Sequence, residues 1–193
     1  MRALLLALAA VSSLAAAAPG LAQTLKVNQN LSIDVTGFSG EPKILSDAVS
    51  HIESLSGGRV AAISFNNIAG TPGYGVIVLK GSDVKFLRLD TPTGQPVELT
   101  AASAPSWMLN WRTQRRATAV EVAKVSLADA IRTAEASQQG APAVVAGIAR
   151  SAANPSSAVQ AYMVGLLKDG RLTRVAVDSQ SGSPIANPEV LDW

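Results

Sequence analysis

The sequence predicts an α+β fold of two tandem units, each a helix packed on an antiparallel β-sheet of three to four strands. Three observations lead there. A nine-residue phrase is written twice, "LDTPTGQPV" at residues 89–97 and "VDSQSGSPI" at 177–185. The echo continues upstream without a gap, "YGVIVLKGSDVKFLRLD" (74–90) against "YMVGLLKDGRLTRVAVD" (162–178). It matches Tyr74 with Tyr162, Val76 with Val164, Leu79 with Leu167 and Lys80 with Lys168. Each copy also follows a helical pattern, "ILSDAVSHIES" (44–54) and "SLADAIRTAEA" (126–136). A repeat longer than about 80 residues is a duplicated small domain, not a solenoid unit. The connection differs in length, "RSAANPSS" (150–157) against "NNIAGTPG" (66–73). A loop is where such a change costs least.

The chain opens like a secretory signal peptide. Arg2 gives a positive start, residues 3–14 are an apolar run, and small residues with Pro19 and Gly20 follow. The expected cut falls after Ala22, with Ala18 as second choice. The run is too short for a spanning helix, which needs about 20 apolar residues. About 170 residues then remain, enough for one medium domain or two small ones. The expected division is a signal peptide at 1–22 and a first unit at 24–100. A linker at 101–117 leads to a second unit at 118–193.

The chain has no cysteine. An exported chain without cysteine is not a disulfide scaffold, so packing must hold it. The same absence removes thiol nucleophiles, zinc–thiolate sites and iron–sulfur ligation. The formal net charge of +2 gives no reason to expect a nucleic-acid partner.

The elements follow from pattern. In residues 25–35, Leu25, Val27, Leu31, Ile33 and Val35 alternate with polar residues, which predicts a strand or hairpin turning at 28–30 and adding to the first sheet. Pro42 suits a first helical turn, and Ile44, Leu45, Ala48, Ile52 and Leu55 recur at helical spacing up to Gly57-Gly58. Strands are expected at 59–65, 74–80 and 83–90. In the second copy Ser126 is the expected N-cap. Leu127, Ala130, Ile131 and Ala134 form the apolar stripe, and Gly140 with Pro142 stops it. Strands are expected at 143–150, 158–168 and 171–177, with a hairpin at Asp169-Gly170. Residues 119–125 alternate like a strand entering the second unit.

The twin Asp-x-x-Ser/Thr-Gly elements read as turns at strand ends. Asp90 and Asp178 would accept hydrogen bonds from the turn backbone, and Gly94 and Gly182 would take a positive φ. The Pro-aliphatic pair after each starts a short edge segment, where a missing N–H costs little. As calcium sites they are too short of oxygen ligands, and no metal is expected.

These residues resemble the PepSY domain family. The second copy carries its pattern in "SLADAIRTAEA", "AYMVGLL" and "RLTRVAVDSQSG", and the first in "ILSDAVSHIES", "GYGVIVL" and "KFLRLDTPTG". The resemblance implies a helix laid across an antiparallel sheet, in tandem, in an exported bacterial protein. It also implies inhibition or modulation of a peptidase, with no catalytic residue to carry over. At fold level the pair looks like the tandem β-lactamase inhibitor proteins. The chain departs from the family at 25–35 and 103–116.

The linker "SAPSWMLNWRTQRRATAVEV" holds Trp107 and Trp111, which a helix would place on one face, followed by Arg112, Arg115 and Arg116. The favoured reading buries both indoles where the units meet, with the arginines solvated at the edge. Exposed, the same face would bind an acidic peptide, a glycan or anionic lipid headgroups.

Catalytic sets are missing from the pattern. His51 is the lone histidine, within the first helical pattern and next to Glu53 in sequence without facing it, whereas acid–base or metal work needs a positioned set. No serine sits in a Gly-x-Ser-x-Gly elbow, and the glycine-rich places lack the lysine of a phosphate loop. The expected function is therefore a secreted or periplasmic non-catalytic binding protein that needs no cofactor. Its partner would be a protein, with a peptidase as the strongest version. The alternative is a small-ligand, glycan or envelope-surface binder that uses the Trp/Arg linker.

Overall fold

The computed structural model describes residues 24–26, 32–38, 40, 44–68, 71–90, 95–100, 108, 119–151, 160–186 and 191–192. The first half holds β1 (Thr24–Lys26), β2 (Ser32–Asp34), α1 (Ile44–Ser56), β3 (Arg59–Ile68), β4 (Thr71–Lys80), β5 (Asp83–Asp90) and β6 (Pro96–Leu99). The second holds α2 (Leu127–Ser137), β7 (Ala143–Ser151), β8 (Gln160–Lys168), β9 (Arg171–Asp178), β10 (Pro184–Ile185) and β11 (Leu191–Asp192). The class is α+β. The strands do not form two separate sheets as the sequence suggested. They make one nine-stranded antiparallel sheet in the order β10-β9-β8-β7-β3-β4-β5-β6, with β11 on β7. The main hydrophobic cluster runs through both halves, from Leu45, Ile52 and Val76 to Ile131, Tyr162 and Val177.

The segments matched in sequence share one pairing register. Ile63 pairs with Val76, and Ala146 with Val164. Gly73 pairs with Asp90, and Ala161 with Asp178. Leu89 pairs with Pro96, and Val177 with Pro184. Even the irregularity recurs, between Val60 and Ala62 in β3 and between Ala143 and Val145 in β7. The halves meet where Ala62, Ile63 and Ser64 pair with Gly147, Ala146 and Val145. Exchanging the halves turns the first of these pairs into the last and leaves Ile63–Ala146 on itself. An approximate two-fold axis therefore passes through that pair. Fully paired inner strands avoid an exposed edge at the join.

Local chemistry fixes the helix ends. The Ser126 hydroxyl accepts the Asp129 N–H at 3.0 Å and donates to its carboxylate at 2.6 Å, an N-cap of the expected kind. The Gly57 N–H donates to the Glu53 carbonyl at 3.0 Å, and the Gly140 N–H to the Glu135 carbonyl at 2.8 Å. Asp169 and Gly170 both have positive φ, 50° and 71°, as a two-residue hairpin turn requires.

One device recurs in both halves and was not foreseen. The Glu53 carboxylate accepts the Val60 N–H at 2.8 Å, and the Glu135 carboxylate accepts the Ala143 N–H at 3.0 Å. Each satisfies a backbone donor where a strand enters its bulge. Glu135 is only 4% exposed, so it is a core acceptor and not a helix-face charge.

Two expectations are corrected. Residues 119–122 form a helical turn, not a strand. Ala119, Val120 and Ala123 are buried, a spacing that suits a helix. The Arg59 guanidinium donates to the carbonyls of Val120, Ala123 (3.0 Å) and Val125 (3.3 Å), which a helix end leaves open. In the N-terminal segment the expected turn at 28–30 lies outside the described residues. The segment gives two antiparallel strands, but among the described residues β1 and β2 pair with each other and do not extend the first sheet. It docks through buried Ile33 and Val35 and through Phe38, whose ring meets Phe65 edge-on at 5.1 Å. The Asn66 side chain accepts the Asp34 N–H at 3.1 Å, and these contacts fasten it against β3. Residues 1–22, 41–43 and 101–107 lie outside the described residues, and with them the expected leader, Pro42 and the start of the linker.

Candidate functional site

Both helices lie on one face of the sheet and pack against each other. They do not obey the two-fold relation of the strands. Helix α2 lies against β7, β8, β9 and β10, whereas α1 lies chiefly against β3 and β7. The outer strands of the first half thus have less helix above them than their counterparts. A cleft of about 350 Å³ opens there.

Its floor is apolar, from Ile52 and Leu55 on α1 to Leu87 and Pro96 on the sheet, and its rim carries Ser56, Lys80, Lys85 and Glu98. Leu55 was expected in the α1 core stripe. It is 56% exposed and faces the cleft instead. Lys85 and Glu98 form an ion pair at 3.0 Å, with both side chains about half exposed. Such a pair contributes only about 0–1 kcal/mol. The Lys80 ammonium reaches the Ser56 carbonyl at 3.5 Å, beside the C-terminal end of α1, where a cation is favoured. No described carboxylate pairs with it. The Ser56 hydroxyl accepts the Gly58 N–H at 3.2 Å and belongs to the turn.

The second half lacks part of this lining. Register and sequence put Ser137 where α1 has Leu55, Thr173 where β5 has Lys85, and Ala186 where β6 has Glu98; Lys80 is matched by Lys168, Pro96 by Pro184 and Leu87 by Val175. Sequence reading put Leu55 in the core stripe of α1, matched Lys80 with Lys168 as part of the repeat, and passed over Lys85 and Glu98 because each looks ordinary alone. The signal lay in where the echo breaks.

The twin turns are placed as follows. At the end of β9 the Asp178 carboxylate accepts the N–H groups of Ser181 (2.7 Å) and Gln180 (2.8 Å). Gly182 has a φ of 74°, and its N–H donates to the Asp178 carbonyl at 2.9 Å. The turn also holds the strap before α2, since the Ser179 carbonyl accepts the Lys124 and Val125 N–H groups at 3.0 Å. In the first copy the Asp90 N–H meets the Gln95 carbonyl at 3.4 Å, and Gly94 lies outside the described residues. Trp107, Trp111, Arg112, Arg115 and Arg116 also lie outside them. Met108, between the two tryptophans, is fully buried. His51 is exposed.

The backbone donors of Ser181 and Gln180 hold the Asp178 carboxyl below the usual aspartate range. A depressed folded value contributes stability that is complete above the unfolded value, about 3.9. That contribution is lost as pH falls through the folded value. We expect the urea midpoint to drop on acidification below about pH 4, and Asp178→Ala to flatten part of that slope. An unchanged acid slope in the variant would count against the role of this turn.

Tyr74 and Tyr162 occupy equivalent positions, both buried on the helix side. Burial raises each phenol to about 12. The Tyr162 hydroxyl donates to the Val125 carbonyl at 2.9 Å, so the strap before α2 is tied to β8 as well as to Arg59.

No family model matches the chain, and no curated protein does. Among solved structures, a crystal structure described as that of a candidate lipoprotein from Clostridium difficile 630 aligns with a TM-score of 0.37 and 12% identity. The alignment covers 79% of this chain and 93% of that one. No helix among the described residues is long and apolar enough to cross a membrane.

Proposed function

We propose that the chain is an exported, non-catalytic binding protein, built from two PepSY-like halves, that holds another protein and modulates a peptidase. The reading rests on the leader-like first residues, the duplicated register and one carrying observation. That observation is the open cleft of the first half, with an exposed leucine and a lysine that no described carboxylate neutralises. Exposed apolar surface beside convergent charge marks a recognition site. The rim groups are placed for binding, since the one carboxylate is held by Lys85 and the one hydroxyl by a turn.

The test uses the chain without its first 22 residues as bait in an envelope extract, followed by peptidase assays on whatever is captured. The expected result is saturable capture of a protein whose peptidase rate changes on addition of the bait. A bait that captures nothing and itself turns over a substrate would overturn the reading.

A further inference from the structure

We propose that the cleft between the C-terminal end of α1 and strands β5 and β6 receives an acidic, apolar segment of the partner protein in extended form. This rests on the binding-protein reading and names the chemistry of its site. The floor offers Ile52, Leu55 and Leu87 to an apolar side chain. One side chain further along, Lys80 offers an ammonium that no described carboxylate neutralises. Among the described residues Lys85 makes an exposed pair with Glu98, so a ligand carboxylate can share it at small cost.

Three features select a peptide over a free fatty acid. The cleft is rimmed by the exposed polar groups of Lys80, Lys85 and Glu98 on three strands, so an alkyl chain would not be enclosed. The described sheet ends on β6, four residues long, where the Glu98 side chain in the cleft lining is exposed. Val97, on the opposite face of β6 from Glu98, is 55% exposed, so the edge strand presents apolar surface beyond the cleft as well. The matched half serves as an internal control, because its strand register is the same while α2 covers its outer strands and Leu55, Lys85 and Glu98 become Ser137, Thr173 and Ala186.

The probe is a fluorescein-labelled hexapeptide alternating leucine and glutamate, titrated by anisotropy into the full chain without residues 1–22. Controls are the same peptide with glutamine for glutamate, and laurate as competitor. We expect saturable binding that weakens about tenfold with glutamine and about tenfold with Lys80→Glu. Lys168→Glu, at the matched position, leaves it unchanged. Both lysines lie at the sheet surface, and circular dichroism verifies that the variants fold. Equal binding of the two peptides, or equal binding to the Lys80→Glu chain, overturns the inference. So does laurate binding that depends on Lys80 while the peptide does not bind. The extract experiment separates the two readings. If the Lys80→Glu bait captures the same protein as well as the native bait, the cleft assignment fails and the binding-protein reading stands.

Discussion

Tyr162→Ala is expected to lower the unfolding free energy by about 3–5 kcal/mol. The ring is fully buried in β8, opposite Ile148 and Val177. Its removal leaves a cavity in the cluster shared by both halves. It also removes the hydroxyl that satisfies the Val125 carbonyl, at about 1–3 kcal/mol if that acceptor stays dry. Against a total stability of about 5–15 kcal/mol, the loss approaches unfolding at ordinary temperature. Tyr162→Phe keeps the ring and should cost about 1 kcal/mol. Urea titration of the three chains measures the difference. A Tyr162→Ala chain within about 1 kcal/mol of native would mean that the strap before α2 and the core beneath it are not coupled.

Glu135→Ala is expected to cost about 2–3 kcal/mol. Its carboxylate is the acceptor for the Ala143 N–H at the mouth of the β7 bulge. Truncation strands that donor in a region where Ala143 and Val144 are buried. Glu135→Gln keeps an acceptor and should recover much of the loss. Glu53→Ala, at the matched but only partly buried position, should cost less because water can replace the carboxylate. A ranking in which Glu53→Ala is the worst of the three would contradict the burial argument.

Much of the architecture was legible in the residues. The echo of 74–90 in 162–178 placed β4 with β8 and β5 with β9. Asp169-Gly170 placed the hairpin between β8 and β9, and Ser126 the start of α2. These features are local, set by period, caps and turn chemistry. The features that were not legible depend on contacts far apart in sequence. Nothing in "RVAAISF" or "AVVAGIAR" says that β3 and β7 will pair with each other, because an inner strand and an edge strand share the same apolar run. Residues 119–125 read as a strand because Val120, Val122 and Val125 suit one. The helical turn exists because Arg59, about 60 positions upstream, supplies donors for its carbonyls. The cleft was hidden for a similar reason. Leu55 fits the apolar stripe of α1, and only the position of α1 over β3 and β7 leaves it exposed.

Those contacts make the two halves one cooperative unit joined through β3 and β7, and amide hydrogen exchange at residues 62–64 and 145–147 measures this directly. The six amides should exchange only through global unfolding, with one common free energy that matches the urea value. If the set in one half exchanged at a distinctly lower free energy while the other stayed protected, the halves would be independent modules, and the continuous sheet would not describe the protein in solution.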